Sequence, residues 1–521
     1  MQLKKIALAD SRSFTPFFLD YIQQLPALKR FYHRFPDIRN FNDQILEKSL
    51  FPENTRRVLA NVLQEQYKAL TLTDAVKQNI SSLRDKNTFT VTTGHQLNIA
   101  TGPLYFIFKI VTVINICKIL KRQYPDYNFV PVYWMASEDH DYDEIKSFRL
   151  YGKKYSWQTE QLGAVGRFRT AGLDSLMREL PGDVSVFLSA YSKQKTLSDA
   201  VRQYVNDLFG TEGLVVVDAD HKDLKSLFKN VIREDVLRNN VKSLVDQTDE
   251  DLKGLGYKTQ IYCRDINFFL LEENVRDRIE RDGQDFTLVD GERKFTRSEI
   301  EKLIESAPEK FSPNVILRPL YQEVILPNLA YIGGPAEIIY WLQLKQVFDH
   351  FSTPFPILVP RNFGMVMDHT LVRKFEKTGL ELKDLFEEKN YIFNHWTLKN
   401  TSHDLTVSAE RDLLRTVFEK LKTKAGSIDP TLAPFVGAEG KRALNSMEKI
   451  EQKLLRAEKR LHKDKLRQIE AVKDALFPNG SLQERSDNFL NFHQQNPRFI
   501  QMLLDGFDPF DFMFNIFLLN N

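Results

Sequence analysis

Cysteine is nearly absent: the 521-residue chain has two, Cys117 and Cys263, far apart and without metal-ligand spacing. A disulfide framework and a cysteine-based zinc site are excluded as organising features, and a reducing cytoplasm is the expected compartment. Charge of one sign is missing too. Lys plus Arg number 72 against 70 Asp plus Glu, a formal charge of +2, which argues against a protein held on nucleic acid by net charge. No apolar stretch reaches the ~18 residues of a spanning helix. The most apolar run, Tyr105 to Leu120, is interrupted by Lys109, Asn115 and Lys118 and reads as a buried helix. Met1 to Phe14 lacks the apolar core of an export signal, so no membrane or export role is expected. No Walker-type loop, Gly-x-Ser-x-Gly elbow, His-Glu-x-x-His or Gly-x-Gly-x-x-Gly stands at the turns after strands, which counts against P-loop ATPases, α/β-hydrolases, zincins and common dehydrogenases.

What is present supports a large folded core: 42% of residues are hydrophobic, with 39 Phe and 18 Tyr. The length suggests about three to four structural units. Residues 1–85 read as short helices. At Thr88–Thr93 a strand begins, followed by a turn, a helix to about Lys121, and a strand at Phe129–Met135. That βαβ unit spans 86–143. Further core strands are expected at Leu214–Val217, Asn314–Leu317, Leu329–Ile332 and Phe355–Val359, with Cys263 in another strand-like run. The core therefore resumes over 211–247 and 309–400, and 144–210 and 248–308 are insertions. The fold class is α/β, a Rossmann-like doubly wound sheet. Over 401–480, apolar residues at intervals of three and four (Met447, Ile450, Leu454, Leu461, Leu466, Ile469, Val472, Leu476) predict a coiled coil, folded back as an antiparallel pair through a turn holding Gly426, Pro430, Pro434, Gly437 and Gly440. The repeat slips near Asp464. Residues 481–521 are aromatic again and are expected to return to the core.

In an open α/β sheet, ligands gather beyond the carboxyl ends of the strands. After the first strand stand Thr93, Gly94, His95 and Gln96, then Gly102 before the helix that carries Lys109. The glycines allow close backbone approach and His95, Gln96 and Lys109 can meet an anion, or the segment is only a tight turn. After the second strand the segment Ser137 to Glu144 holds Glu138, Asp139, His140, Asp141, Asp143 and Glu144, five carboxylates and one imidazole in eight residues. Such a cluster can bind Mg²⁺, grip an ammonium or act as general base, and it can equally be a solvated loop. No metal is identified by the spacing. Beyond later strands lie Arg318, Gln322, Gly333, Gly334, Glu337, Arg361 and Asn362, suited to carboxylate or phosphate recognition.

The segments TVTTGHQLNIATGPLYFIFK, FVPVYWMASEDHDYDEI, RPLYQEVILPNLAYIGGPAEIIYWLQL, PILVPR and LFPNGSLQER, in this order, resemble the cysteine ligase family of bacillithiol biosynthesis. The resemblance covers nearly the whole chain. It implies a core similar to class I aminoacyl-tRNA synthetases with inserted connective domains, and a helical arm that mediates a homodimer. It also implies L-cysteine and glucosaminyl-malate as substrates, with ATP and Mg²⁺ as the accompanying cosubstrate. Of the synthetase His-x-Gly-His opening only Thr93-Gly94-His95 is present, and no Lys-Met-Ser-Lys-Ser occurs. On this reading His95, Asp139, His140 and Asp141 are catalytic. Thr93, Gly94, Gln96, Gly102, Lys109, Gly333 and Gly334 bind the cosubstrate, and Glu138, Arg318, Gln322, Glu337, Arg361 and Asn362 bind substrate. A rival reading makes the arm an RNA-binding element, since residues 439–476 hold 11 Lys or Arg against 7 Asp or Glu. A charged coiled-coil face explains the same composition.

Overall fold

The computed structural model describes residues 2–291 and 293–519. At its centre lies a parallel sheet of five strands: β1 (Thr88–His95), β2 (Asn128–Met135), β3 (Val215–Asp218), β4 (Asn328–Gly333) and β5 (Ile357–Pro360). Their spatial order is β3-β2-β1-β4-β5, the doubly wound order of a Rossmann-like core, with the chain reversing its direction of growth between β1 and β4. The strands are short, β-branched or aromatic and buried on both faces, as sheets covered by helices on each side require. Pro131, which cannot donate to a ladder, pairs with Val91 on one side. It precedes Val132, where pairing with β3 begins, so its missing N–H breaks no bond there. Register aligns His95 with Met135 and Met135 with Asp218, while Gly333 aligns with Pro360. The carboxyl ends therefore form one edge.

Helix α1 (Tyr105–Gln123) is apolar nearly all round because it is buried nearly all round. Its polar interruptions are each satisfied. The Thr112 hydroxyl bonds the Phe108 carbonyl and Asn362, and the Asn115 amide donates to the carbonyls of Leu504 and Phe507. No helix among the described residues is long and apolar enough to cross a membrane. The loop between β1 and α1 has three consecutive residues with positive φ, Ala100, Thr101 and Gly102. A Cβ on Gly102 would lie 2.5 Å from the Asn98 Cβ. This costly backbone is held by Asn488, whose amide donates to the carbonyls of Ala100 and Gly102, both at 2.7 Å.

Residues 144–210 form a hairpin, Ser147–Leu150 with Lys153–Ser156, followed by helices. Residues 268–313 form an antiparallel sheet in which Phe311–Pro313 pairs with Phe268–Leu270. This corrects one expectation: Asn314–Leu317 is not a core strand. The chain turns there into helix Arg318–Ile325, because the Asn314 side chain accepts from the Ile316 amide and Pro319 favours a first helical turn. Cys263 likewise lies outside any strand, and both cysteines are buried and free. The N-terminal segment is not all helical either. Strand Gln2–Ala7 pairs antiparallel with Met513–Leu518, which pairs parallel with Phe363–Met367.

The arm consists of helices α2 (Ser408–Ile428) and α3 (Leu432–Leu461), packed antiparallel with Phe418 against Gly440. The turn is only residues 429–431. Pro434, Gly437 and Gly440 lie within α3, Pro434 in its first turn, where a missing N–H is harmless. The helix ends at His462, near the slip in the repeat, and α4 (Lys463–Leu476) follows. Leu466 and Ile469 bury against Ile392 and Trp396, and Val472 and Leu476 join the main core, so the second half of the predicted stripe is covered by its own chain.

Candidate active site

The carboxyl edge of the sheet opens into a cavity of about 780 Å³. β1 supplies Gly94 and His95, β2 leads into Ser137, Glu138 and Asp139, and α1 supplies Tyr105 and Lys109. Arg318 comes from the helix before β4, Gly334 and Glu337 from the turn and helix after it, and Arg361 from the residue after β5.

On the cationic side, Lys109 Nζ lies 2.6 Å from Glu337 Oε2 and donates to the Gly94 carbonyl at 2.8 Å. Lys109 is therefore not a lysine reaching for solvent along an apolar helix. Burial pulls its pKa below the usual lysine range, Arg361 and Arg318 add to this, and Glu337 opposes it. Burial would raise Glu337, but Lys109, the Gly334 amide and the Tyr331 hydroxyl outweigh it and hold the carboxyl low. His95 accepts at Nε2 from the Asn98 amide at 3.0 Å, and its ring lies against Tyr105 and Phe106. Burial, then Lys109 and Arg361, push its pKa well below the ordinary value, so the ring is neutral at physiological pH. Arg361 is 3% exposed and ion-paired with Glu484 from the C-terminal segment, while its buried Nε has no hydrogen-bond partner. Arg318 lies over the rings of Trp134 and Tyr331, and its buried Nη2 is also unpartnered. Among the described residues neither Arg318 nor cavity-lining Arg485 has a carboxylate in ion-pair contact. Guanidinium groups that line a cavity without a carboxylate partner, as Arg318 and Arg485 do, mark places for an anion.

On the acidic side, Asp139 accepts from Gln96 at 3.0 Å and from the amides of His140 and Asp141, with Arg276 at 3.8 Å. Burial raises its carboxyl, but Gln96, Arg276 and the two amides prevail and lower it. Gln96 also donates to Glu144, which lines the cavity. Glu138 is paired with fully buried Lys225 at 2.8 Å.

Several expected site residues lie elsewhere. Thr93 donates its hydroxyl to the Ile332 carbonyl within the sheet. Gly102 and Gly333 serve backbone geometry and Asn362 bonds Thr112 and the Asp508 carbonyl, all outside the cavity wall. Gln322 is fully buried behind Arg318. His140 turns its Nδ1 to Arg276 at 2.6 Å, and Asp141 caps the short helix Tyr142–Ile145. Neither faces the cavity, because the chain turns after Asp139 to start that helix. Reading the sequence missed Arg276, which arrives from the inserted sheet, and Arg485, which arrives from beyond the arm. Arg485 stands in the LFPNGSLQER segment, whose position far along the chain hid its place at the site.

The difference between the two aspartates is testable. Asp139 receives donors on both oxygens, and asparagine can accept on only one. Asp139→Asn should therefore cost about 1–3 kcal/mol, whereas Asp141→Asn, which caps a helix equally well, should be neutral in thermal unfolding. The Asp139 contribution is present above the unfolded carboxyl pKa of about 4 and is lost as pH falls through the lower folded value. Equal melting of the two variants would contradict this division.

A Rossmann-like sheet with inserted domains, a C-terminal helical arm and a cavity lined by both signs of charge at the carboxyl edge is the architecture of an α/β enzyme. The family follows from comparison. Residues 1–362 match the bacillithiol biosynthesis BshC N-terminal Rossmann-like domain and residues 364–519 the BshC C-terminal coiled-coil domain. Proteins described as "Putative cysteine ligase BshC" are similar over nearly all of both chains. That of Flavobacterium johnsoniae is 40% identical over 523 residues and that of Cytophaga hutchinsonii 38% over 510, each covering 98% of this chain and of the relative. That of Natranaerobius thermophilus is 27% identical over 507 residues, covering 91% and 92%. The chain belongs to the BshC family of bacillithiol biosynthesis, a family of ligases.

Proposed function

We propose that the protein joins L-cysteine to glucosaminyl-malate in the cytoplasm, forming an amide between the cysteine carboxyl and the glucosamine amine. The observation that supports this most is the division of the cavity into a side of open guanidinium donors and a side of carboxylates. The malate carboxylates fit Arg318, Arg361 and Arg485. The sugar's ammonium fits Asp139 and Glu144, either of which can take the proton that the amine must lose before it attacks. Amide formation from a free carboxylate needs an activating cosubstrate. The donors His95 and Lys109 suit the phosphates of ATP, which would supply that driving force, and Gly94 lets a ligand approach the backbone. Among the described residues no group of three or more metal-ligating side chains is assembled, so Mg²⁺ would come with the nucleotide. Incubation of pure protein with glucosaminyl-malate, L-cysteine and ATP should yield bacillithiol by mass spectrometry. Lack of product, together with normal bacillithiol in cells lacking this protein, would reject the reading.

The arm is proposed to hold a homodimer. Leu413, Val417, Leu421 and Ile428 on α2, and Ile450, Leu454 and Leu461 on α3, form stripes at helical spacing that remain exposed after the two helices have paired. The aromatic C-terminal end is buried at the core against Gln2–Ala7 and does not cover them. A second copy of the arm covers them symmetrically. In sedimentation, a dimer at micromolar concentration should become monomeric with Leu454→Lys. A wild-type monomer would overturn the assignment.

A further inference from the structure

Behind Arg318 lies a polar chain sealed from water. Lys48 and Glu323 form an ion pair at 2.9 Å with side chains 1% and 0% exposed, far from any surface that would explain them. Glu323 Oε1 accepts from the Gln322 amide at 3.0 Å and from the Asn328 amide at 2.6 Å. Asn328 Oδ1 in turn accepts from the hydroxyls of Thr90 and Thr92. Gln322 Oε1 accepts from Arg318 Nη1 at 3.1 Å. The direction of every bond is fixed by chemistry. A carboxylate only accepts and a guanidinium only donates, so the Gln322 amide can be inserted between them in one orientation alone.

A buried ion pair is weak support for stability, since apolar residues of similar volume usually do as well. It is well suited to holding one geometry. We infer that Lys48, Glu323 and Gln322 form a relay that positions the Arg318 guanidinium, which lines the cavity, for a carboxylate bound there. Gln322 is thus a positioning residue and does not touch the substrate. Gly94 lies beside the same nitrogen: an added Cβ there would stand 3.5 Å from Arg318 Nη1 and 3.3 Å from the Tyr331 hydroxyl oxygen. Arg318 is therefore held through Nη1 by Gln322.

The inference rests on the proposed binding of the malate carboxylates by Arg318, and the experiment separates the two. Calorimetry would give Kd for glucosaminyl-malate and, separately, for L-cysteine. Arg318→Ala should weaken glucosaminyl-malate about a hundredfold, as loss of a charge-assisted pair does. Gln322→Met, of similar size and without hydrogen-bonding groups, should weaken it about tenfold and leave L-cysteine unchanged. Glu323→Gln, which keeps an acceptor oxygen, should fall between Gln322→Met and the unaltered protein, and it decides the matter if Gln322→Met does not fold. If Arg318→Ala binds normally, the carboxylate assignment is wrong. If Arg318→Ala binds weakly but the folded relay variants bind like the unaltered protein, or lose both ligands equally, Arg318 stands and the relay is overturned.

Discussion

Lys109→Met should destabilise the protein by about 3 kcal/mol and lower product formation at least ~10²-fold. The substitution keeps length and apolar stem but leaves the Glu337 carboxylate without its cation and the Gly94 carbonyl without its donor. Breaking a buried pair from one side costs about 3–5 kcal/mol, and the low end applies because Glu337 keeps 25% side-chain exposure. Changing Glu337 to Gln in the same chain should restore much of the stability, since no unpaired charge remains, yet not the activity. Denaturant titration separates the two effects: a midpoint within error of the unaltered protein would mean that the pair is solvated and carries no strain on removal.

His95→Ala should lower product formation at least ~10²-fold while the protein melts normally, the loss expected for one well-placed electrostatic group. With Asn98 donating to Nε2, the proton of the neutral ring sits on Nδ1, which makes His95 a donor without net charge. Because its pKa lies well below 6.5, the ring stays neutral as pH falls through the range in which an ordinary histidine would charge. The pH–rate profile should accordingly show no break near 6.5 that disappears in His95→Ala. Such a break would show that the imidazolium is the working form.

The sequence made the central sheet legible because each core strand is a short run closed by glycine, proline or a polar residue, and five of the six expected runs are core strands. The sixth, Asn314–Leu317, misled because a run of four does not distinguish a strand from the entry to a helix. At the site, residues immediately after strands could be found by position: His95, Asp139, Glu337 and Arg361 all line the cavity. What could not be found was direction. His140 and Asp141 follow the same strand as Asp139, but the helix start after it turns them away. Gln322 sits one helical turn from Arg318 and serves it from behind. Arg276 and Arg485 were hidden for a different reason, since their neighbours at the site are set by tertiary packing across hundreds of residues.

The route of the chain also governs when an active molecule can exist during synthesis. Among the described residues, strand Gln2–Ala7 pairs with Met513–Leu518, about 500 residues further along the chain. Glu484 neutralises Arg361, and Asn488 pins the loop after β1, more than a hundred residues after the sheet itself is complete. At a ribosomal rate of about 5–20 residues per second, the core therefore waits many seconds with an uncompensated buried guanidinium and an unpaired N-terminal strand. A chain lacking residues 482–519 keeps the sheet but has neither the Glu484 partner of Arg361 nor the Asn488 clamp on the loop after β1.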